Sequence, residues 1–175
     1  MMYPEPTNIW QSIEYSSLGI GIAESLWAFP MIETIHVMAL VTVFGTVMIM
    51  DLRLLGVAST KMPVTEVSSD TLKWTWIGFV LAAITGTLLF VSKASTYMVN
   101  PYFLTKLGLL AAAGLNMLIF HFVTYKSVND WDSSGTLPSG AKLAGILSIL
   151  FWVIIVFCGR AIGFTLGIYL PEMNF

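Results

Sequence analysis

Four stretches of this sequence run for about 20 residues each with at most one Asp, Glu, Lys or Arg: 30–50, 74–91, 102–122 and 143–164. A helix of that length crosses the hydrocarbon core of a bilayer, so the pattern predicts four transmembrane spans. Composition agrees. Of 175 residues, 57% are hydrophobic and 10% charged, with a mean hydropathy of +0.82; soluble domains carry about 25% charged residues. Eight Lys and Arg with ten Asp and Glu cannot cover a soluble surface while that much apolar area is hidden. Net charge is −2 and no basic run exists, which argues against a nucleic-acid partner and leaves the lipid bilayer as the expected one.

The expected fold is an all-α integral membrane protein: a four-helix transmembrane bundle over residues 30–167, with an N-terminal segment (1–29) and a C-terminal tail (168–175). Residues 8–29 mix Ile9, Trp10, Ile13, Tyr15, Leu18 and Trp27 with Ser, Gly and Glu. That mixture reads as an interfacial or re-entrant helix that breaks at Pro30. Residues 1–30 hold no Lys or Arg, unlike the basic start of a cleavable signal peptide, so the first span is expected to serve as the insertion signal. The loops are expected at about 52–73, 92–101 and 123–142. Gly56 opens the first, Asn100-Pro101 ends one helix and starts the next, and Ser133, Ser134, Gly135 and Pro138 mark the third as a turn.

Arg53, Lys61, Lys73, Lys126 and Lys142 lie at the first and third loops; Lys93, Lys106 and Arg160 lie toward the other side. The excess points to both termini outside, periplasmic in a bacterial inner membrane. Small residues recur at four-residue spacing: Gly78, Ala82 and Gly86 in the second span, Gly159, Gly163 and Gly167 in the fourth. Lipid gives helices no hydrophobic drive to associate, so such stripes let backbones approach. Packing within the bundle is their plainer reading; room for a flat cofactor or an oligomer contact is the other. The ten methionines are scattered through the spans, where gap-filling accounts for them better than copper handling.

Chemistry is bounded by one cysteine, Cys158, and two histidines, His36 and His121, which rule out disulfides within the chain and multi-cysteine metal sites. Ionisable groups at membrane depth usually face the bundle interior, a cavity or a partner; here they are Glu33, His36, Lys106, His121 and Arg160, with Asn116 among them and Asp51 and Arg53 at a span end. Glu33 and His36 share a helix face, as do Lys106, Ala113, Met117 and His121. His36 stands fifteen residues from Asp51, and His121 fifteen from Lys106, about 22 Å along a helix. Two layers are therefore expected. One holds Glu33, His36, Lys106 and Arg160; the other holds Asp51, Arg53, Asn116 and His121. Layers that far apart exclude a single haem ligated by both histidines of one chain.

One imidazole with cationic neighbours in each layer suits b-type haem, with His36 and His121 as axial ligands, Lys106, Arg160 or Arg53 on propionates and Glu33 orienting its neighbour. Another redox metal is the variant of this reading. A structural polar network among Glu33, His36, Lys106 and Arg160 is the alternative that needs no ligand. A single Glu-x-x-His is half of a carboxylate-bridged metal site, and its other half is missing. No Ser/His/Asp constellation, phosphate loop or CxxC motif is present. A proton relay through Glu33, His36 and Asp51 would need water beside the apolar stretch from Leu40 to Val47.

The order of these residues resembles a known pattern. Pro30, Glu33 and His36 lead to Asp51-Leu52-Arg53-Leu54-Leu55-Gly56, then Trp74-Thr75-Trp76-Ile77-Gly78-Phe79 and Asn100-Pro101-Tyr102-Phe103 with Lys106. Asn116, Phe120-His121, Gly159-Arg160 and Ile162-Gly163 complete it. Over about residues 25–165 it resembles a family of small, uncharacterised bacterial inner-membrane proteins with four spans. The resemblance implies that His36, Lys106, His121 and Arg160 belong to the family pattern. The layout is also similar, architecturally, to di-haem cytochrome b membrane proteins that exchange electrons with quinones, though those present four ligating histidines and this sequence has two. The expected function is thus a membrane-embedded haem b or redox-metal subunit passing electrons between a quinone pool and a periplasmic partner. The alternative is a non-enzymatic subunit of a membrane complex or homo-oligomer, or a small-ion or proton conductor.

Overall fold

The structure, a computed structural model, describes residues 5–132 and 137–169; Ser133, Ser134 and Gly135 of the third loop and most of the C-terminal tail lie outside the described residues. Among the described residues it is helical without strands. Four helices are long and apolar enough to cross a membrane, at 27, 29, 31 and 27 residues.

Two short helices open the chain, α1 (Ile9–Glu14) and α2 (Ser17–Glu24). Each is started by a side-chain cap: Asn8 accepts from the Gln11 N–H at 2.9 Å, and Ser16 from the Gly19 N–H at 3.2 Å. The first long helix, α3, spans Ala28–Leu54. The break expected at Pro30 does not occur. Pro30 lies in the first turn, where a missing N–H costs no helical hydrogen bond. At its other end Gly56, at φ 72°, supports a Schellman ending. The Val57 N–H reaches the Leu52 carbonyl and the Gly56 N–H the Arg53 carbonyl, both at 3.0 Å. Only a residue free to adopt positive φ closes a helix this way at no steric cost.

The second long helix, α4, runs Val64–Ser92, so the first loop is far shorter than the expected 52–73. Residues 64–73 are polar but helical because a distant residue caps them. The Asp132 carboxylate accepts from the backbone N–H of Val64 and from Thr65, whose N–H lies at 3.3 Å. A short α5 (Ala94–Val99) then leads to α6 (Pro101–Ile119). The expected boundary at Asn100-Pro101 is met: Asn100 accepts from the Tyr102 N–H at 3.0 Å and donates to Thr165 Oγ1 at 2.9 Å, fully buried. Helical backbone continues past α6 through a wide turn (Phe120–Thr124), a tight turn (Tyr125–Ser127) and α7 (Val128–Trp131), shortening the third loop as well. The last helix, α8, spans Ser139–Thr165.

The long helices pack pairwise in the order α4–α3–α8–α6. Paired positions such as His36 with Thr85, Asp51 with Gly145, and Asn116 with Ala144 show each neighbour to be antiparallel. The chain thus enters and leaves at one end, here the terminal end. There α4 and α6 meet through Phe90 stacked on Phe103, with ring centroids 5.6 Å apart. Glu14 fastens the N-terminal helices to this end by accepting from the Ser95 N–H at 3.0 Å and from its hydroxyl. At the far end Leu54, Val64, Phe120, Val128, Trp131 and Ala141 form a buried cluster; Val43, Trp152 and Ile155 form another between α3 and α8.

Glycines set the helix spacing. A Cβ on Gly78 would lie 2.9 Å from Val43 Cγ2 and 3.2 Å from the Ala39 carbonyl, whereas one on Gly45 would meet nothing within 4 Å. Gly78→Leu is expected to part α3 from α4 and abolish a cooperative melt in detergent. Gly45→Ala, which only removes backbone freedom, should be neutral or stabilise by about 0.5–1 kcal/mol. Asp132→Ala should cost about 1 kcal/mol through the lost cap on α4, read as a lower Tm with the helical signal otherwise retained.

Candidate functional site

Near the terminal end, four helices bring polar groups to one level. From α3, His36 is half-buried and its Nδ1 lies 2.9 Å from Thr85 Oγ1 on α4. The Thr85 hydroxyl donates to the Leu81 carbonyl at 2.7 Å, the back-bond that threonines make inside helices. With that proton turned to Leu81, Thr85 is placed to accept from an Nδ1–H of His36, and the ring also hydrogen-bonds the Ala82 backbone. Gly86 lies against the ring; a Cβ there would meet Cε1 at 3.0 Å. From α6 comes Lys106, also half-buried, which acts on the His36 ring through space. Its Nζ lies 3.8 Å from where a Cβ of Gly159 would stand, beside the buried Cys158 of α8. The expected pairing of His36 and Lys106 in one layer is therefore present in the geometry.

Glu33 and Arg160 share this level without joining the cluster. Both are exposed. Glu33 acts electrostatically on the buried Tyr97 of α5, and the Arg160 guanidinium lies over the Phe164 ring, 4.5 Å from its centroid. The expected interior placement fails for a geometric reason. Gly145 on α8 touches α3, its Cβ position 3.2 Å from the Asp51 carbonyl, but Gly163, on the same side of α8, has nothing within 4 Å. Helices α3 and α8 diverge toward the terminal end and leave Glu33 and Arg160 uncovered.

The second layer is also only partly assembled. Asp51 is 5% exposed and its Oδ2 has no hydrogen-bond partner; Ser148 of α8 hydrogen-bonds the same carboxyl group. Arg53, 6% exposed, points elsewhere, its Nε donating to the Met62 carbonyl at 2.7 Å. Asn116 donates to the Ala144 carbonyl at 2.9 Å. His121 is exposed, its Nδ1–H on the Met117 carbonyl at 3.1 Å and its ring between those of Phe120 and Tyr125. The shared face expected for Lys106 and His121 misses by one residue. The stripe packed toward α8 runs Leu109, Ala113, Asn116 and Phe120, and His121 turns about 100° past it.

Thr85, Ser148 and Tyr97 were not singled out in the sequence, and Gly86 stood out only through its small-residue spacing. A hydroxyl in an apolar run is a weak signal, because most such threonines only back-bond, as Thr34, Thr42 and Thr87 do. Among the described residues no group of three or more His, Cys, Asp or Glu side chains could hold a bare metal ion.

A family of unknown function (DUF6644) matches residues 14–165, and the chain belongs to that family. The match begins earlier than the motif resemblance and takes in α2. No curated protein and no solved structure matches the chain.

Tyr97 gives this end of the molecule a titration signature. Burial, and secondly the Glu33 carboxylate, push its phenol from 10.0 up to about 12. The fold favours the protonated phenol, so its stabilising contribution is complete below about pH 10 and lost as pH rises toward 12. Absorbance titration at alkaline pH should show one late-ionising tyrosine that Tyr97→Phe removes, and Glu33→Gln should bring its midpoint down.

Proposed function

We propose that this member of the family is a four-span membrane subunit carrying b-type haem, with His36 as axial ligand and electron transfer as its role. The observation that carries the reading is the His36 imidazole. Its Nδ1 is tied to Thr85; with the hydrogen on Nδ1 the ring would offer Nε2 as a donor, the arrangement in which outer-shell partners prepare a ligating histidine. A bare metal would need three or four protein ligands, whereas a porphyrin supplies four nitrogens and asks the protein for one or two. Lys106 stands at the same level without an acidic partner among the described residues, suited to a propionate. The long apolar helices around this level are consistent with exchange with a lipid-soluble quinone.

In this reading the apolar helices lie in a bacterial inner membrane, and the distribution of Lys and Arg supports periplasmic termini. His36 is the one imidazole at its level, so a haem held there would take any sixth ligand from Met, Lys, water or another subunit. His121, exposed at the other layer, is a second ligand position only where another subunit completes it. A second reading, a small-ion or proton conductor, draws on the buried, unpartnered Oδ2 of Asp51.

The test is the absorption spectrum of the detergent-purified chain, oxidised and dithionite-reduced, with and without haem reconstitution. A Soret band at one haem per chain is expected. It should vanish in His36→Ala, persist in His121→Ala, and respond to carbon monoxide when reduced. A chain that stays colourless after reconstitution overturns the haem reading. Proton flux in liposomes lost in Asp51→Asn would then favour the conductor.

A further inference from the structure

Glu33 and Arg160 sit within long apolar helices, yet the bundle covers neither, and neither makes an ion pair among the described residues. Charges at such depth are costly and are found paired or facing water. These two have opposite signs and stand at nearly one level. Gly145 and the Asp51 carbonyl mark where antiparallel α3 and α8 touch. Five full turns, about 18 residues, separate Asp51 from Glu33 along α3 and Gly145 from Gly163 along α8. Glu33 therefore comes opposite Gly163, one turn from Arg160, on the same seam.

A seam carrying an acid beside a base is self-complementary about a two-fold axis. The acid of one copy meets the base of the other, and the reverse contact follows by symmetry. Open space at Gly163 lets a second backbone come close to α8 there. We propose that the diverging α3–α8 face at the terminal end is the contact between two copies of this chain, Glu33 of each copy paired with Arg160 of the other. The pairing neutralises all four charges in the apolar layer and covers the seam that the single bundle leaves open. It does not depend on whether His36 binds haem.

The test uses the full chain in liposomes of phosphatidylethanolamine and phosphatidylglycerol, with stoichiometry read by single-molecule photobleaching across protein-to-lipid ratios. The wild-type chain is expected to be a dimer. Glu33→Arg alone and Arg160→Glu alone each set like charges together twice across the axis, weakening self-association by about a hundredfold or more. Mixed in equal amounts, the two variants should form a heterodimer as tight as wild type, because each of its two contacts again joins Arg to Glu. That recovery cannot come from a folding defect in either variant. A wild-type chain that stays monomeric overturns the proposal, including one whose charge pair retains a zwitterionic lipid headgroup. So do single variants as dimeric as wild type, or a mixture no tighter than its components.

Discussion

Close approach of helix backbones at two glycines positions most of what the structure presents. Gly78 seats α4 on Ala39 and Val43 of α3, and Gly145 seats α8 on the carbonyl of Asp51. In an apolar surrounding, exchanging lipid for protein contact gains little by hydrophobic transfer, so van der Waals contact at small residues must hold the helices. These contacts make α3 a spine with α4 on one side and α8 on the other, and α6 reaches the assembly through α8. His36 faces Thr85 and Gly86 because the α3–α4 register set at Gly78 continues two turns further along.

Polar side chains between helices complete the arrangement, and several hydrogen-bond across a helix contact. Thr75 donates to Thr46 across the α3–α4 contact at 2.8 Å, Asn100 ties the start of α6 to the end of α8, and Asn116 ties its middle to Ala144. A buried group without a partner costs more than a made bond returns. Among the described residues the Oδ2 of Asp51 is the buried side-chain atom left without a partner, and exceptions of this kind concentrate where something binds or moves. The same reasoning separates the two histidines. His36 is held between helices, while His121 bonds only to its own helix.

The long helices were legible because apolar length is a local property. The Asn100-Pro101 boundary was legible because cap and proline chemistry is local too. What failed were features decided by partners far along the chain. Residues 64–73 read as loop because their start lacks a cap of its own; Asp132, at the other end of the sequence, supplies it. Glu33 and Arg160 read as interior because charge in a span usually is, yet the spacing of α3 and α8 differs between their two ends, which no helical periodicity records. For the site, His36 and Lys106 stood out as ionisable, whereas Thr85 was hidden among threonines whose hydroxyls are occupied within their own helices.

That asymmetry between the two ends of α3 and α8 bears on what the molecule can do. Where the helices touch, at Gly145, the side chains between them are buried and a carboxyl group is locked in with one hydroxyl neighbour. Toward the terminal end an acid and a base face outward near the level of the His36 imidazole. The far end is closed by its buried apolar cluster, whereas the terminal end keeps exposed polar groups within long apolar helices. The aromatic cluster of Phe90, Phe103 and Tyr97 ties α4, α5 and α6 together at this end, and the N-terminal helices brace it through Trp10 and Glu14. The segment before the first long helix is thus packed into the terminal end, and the family match extends into it.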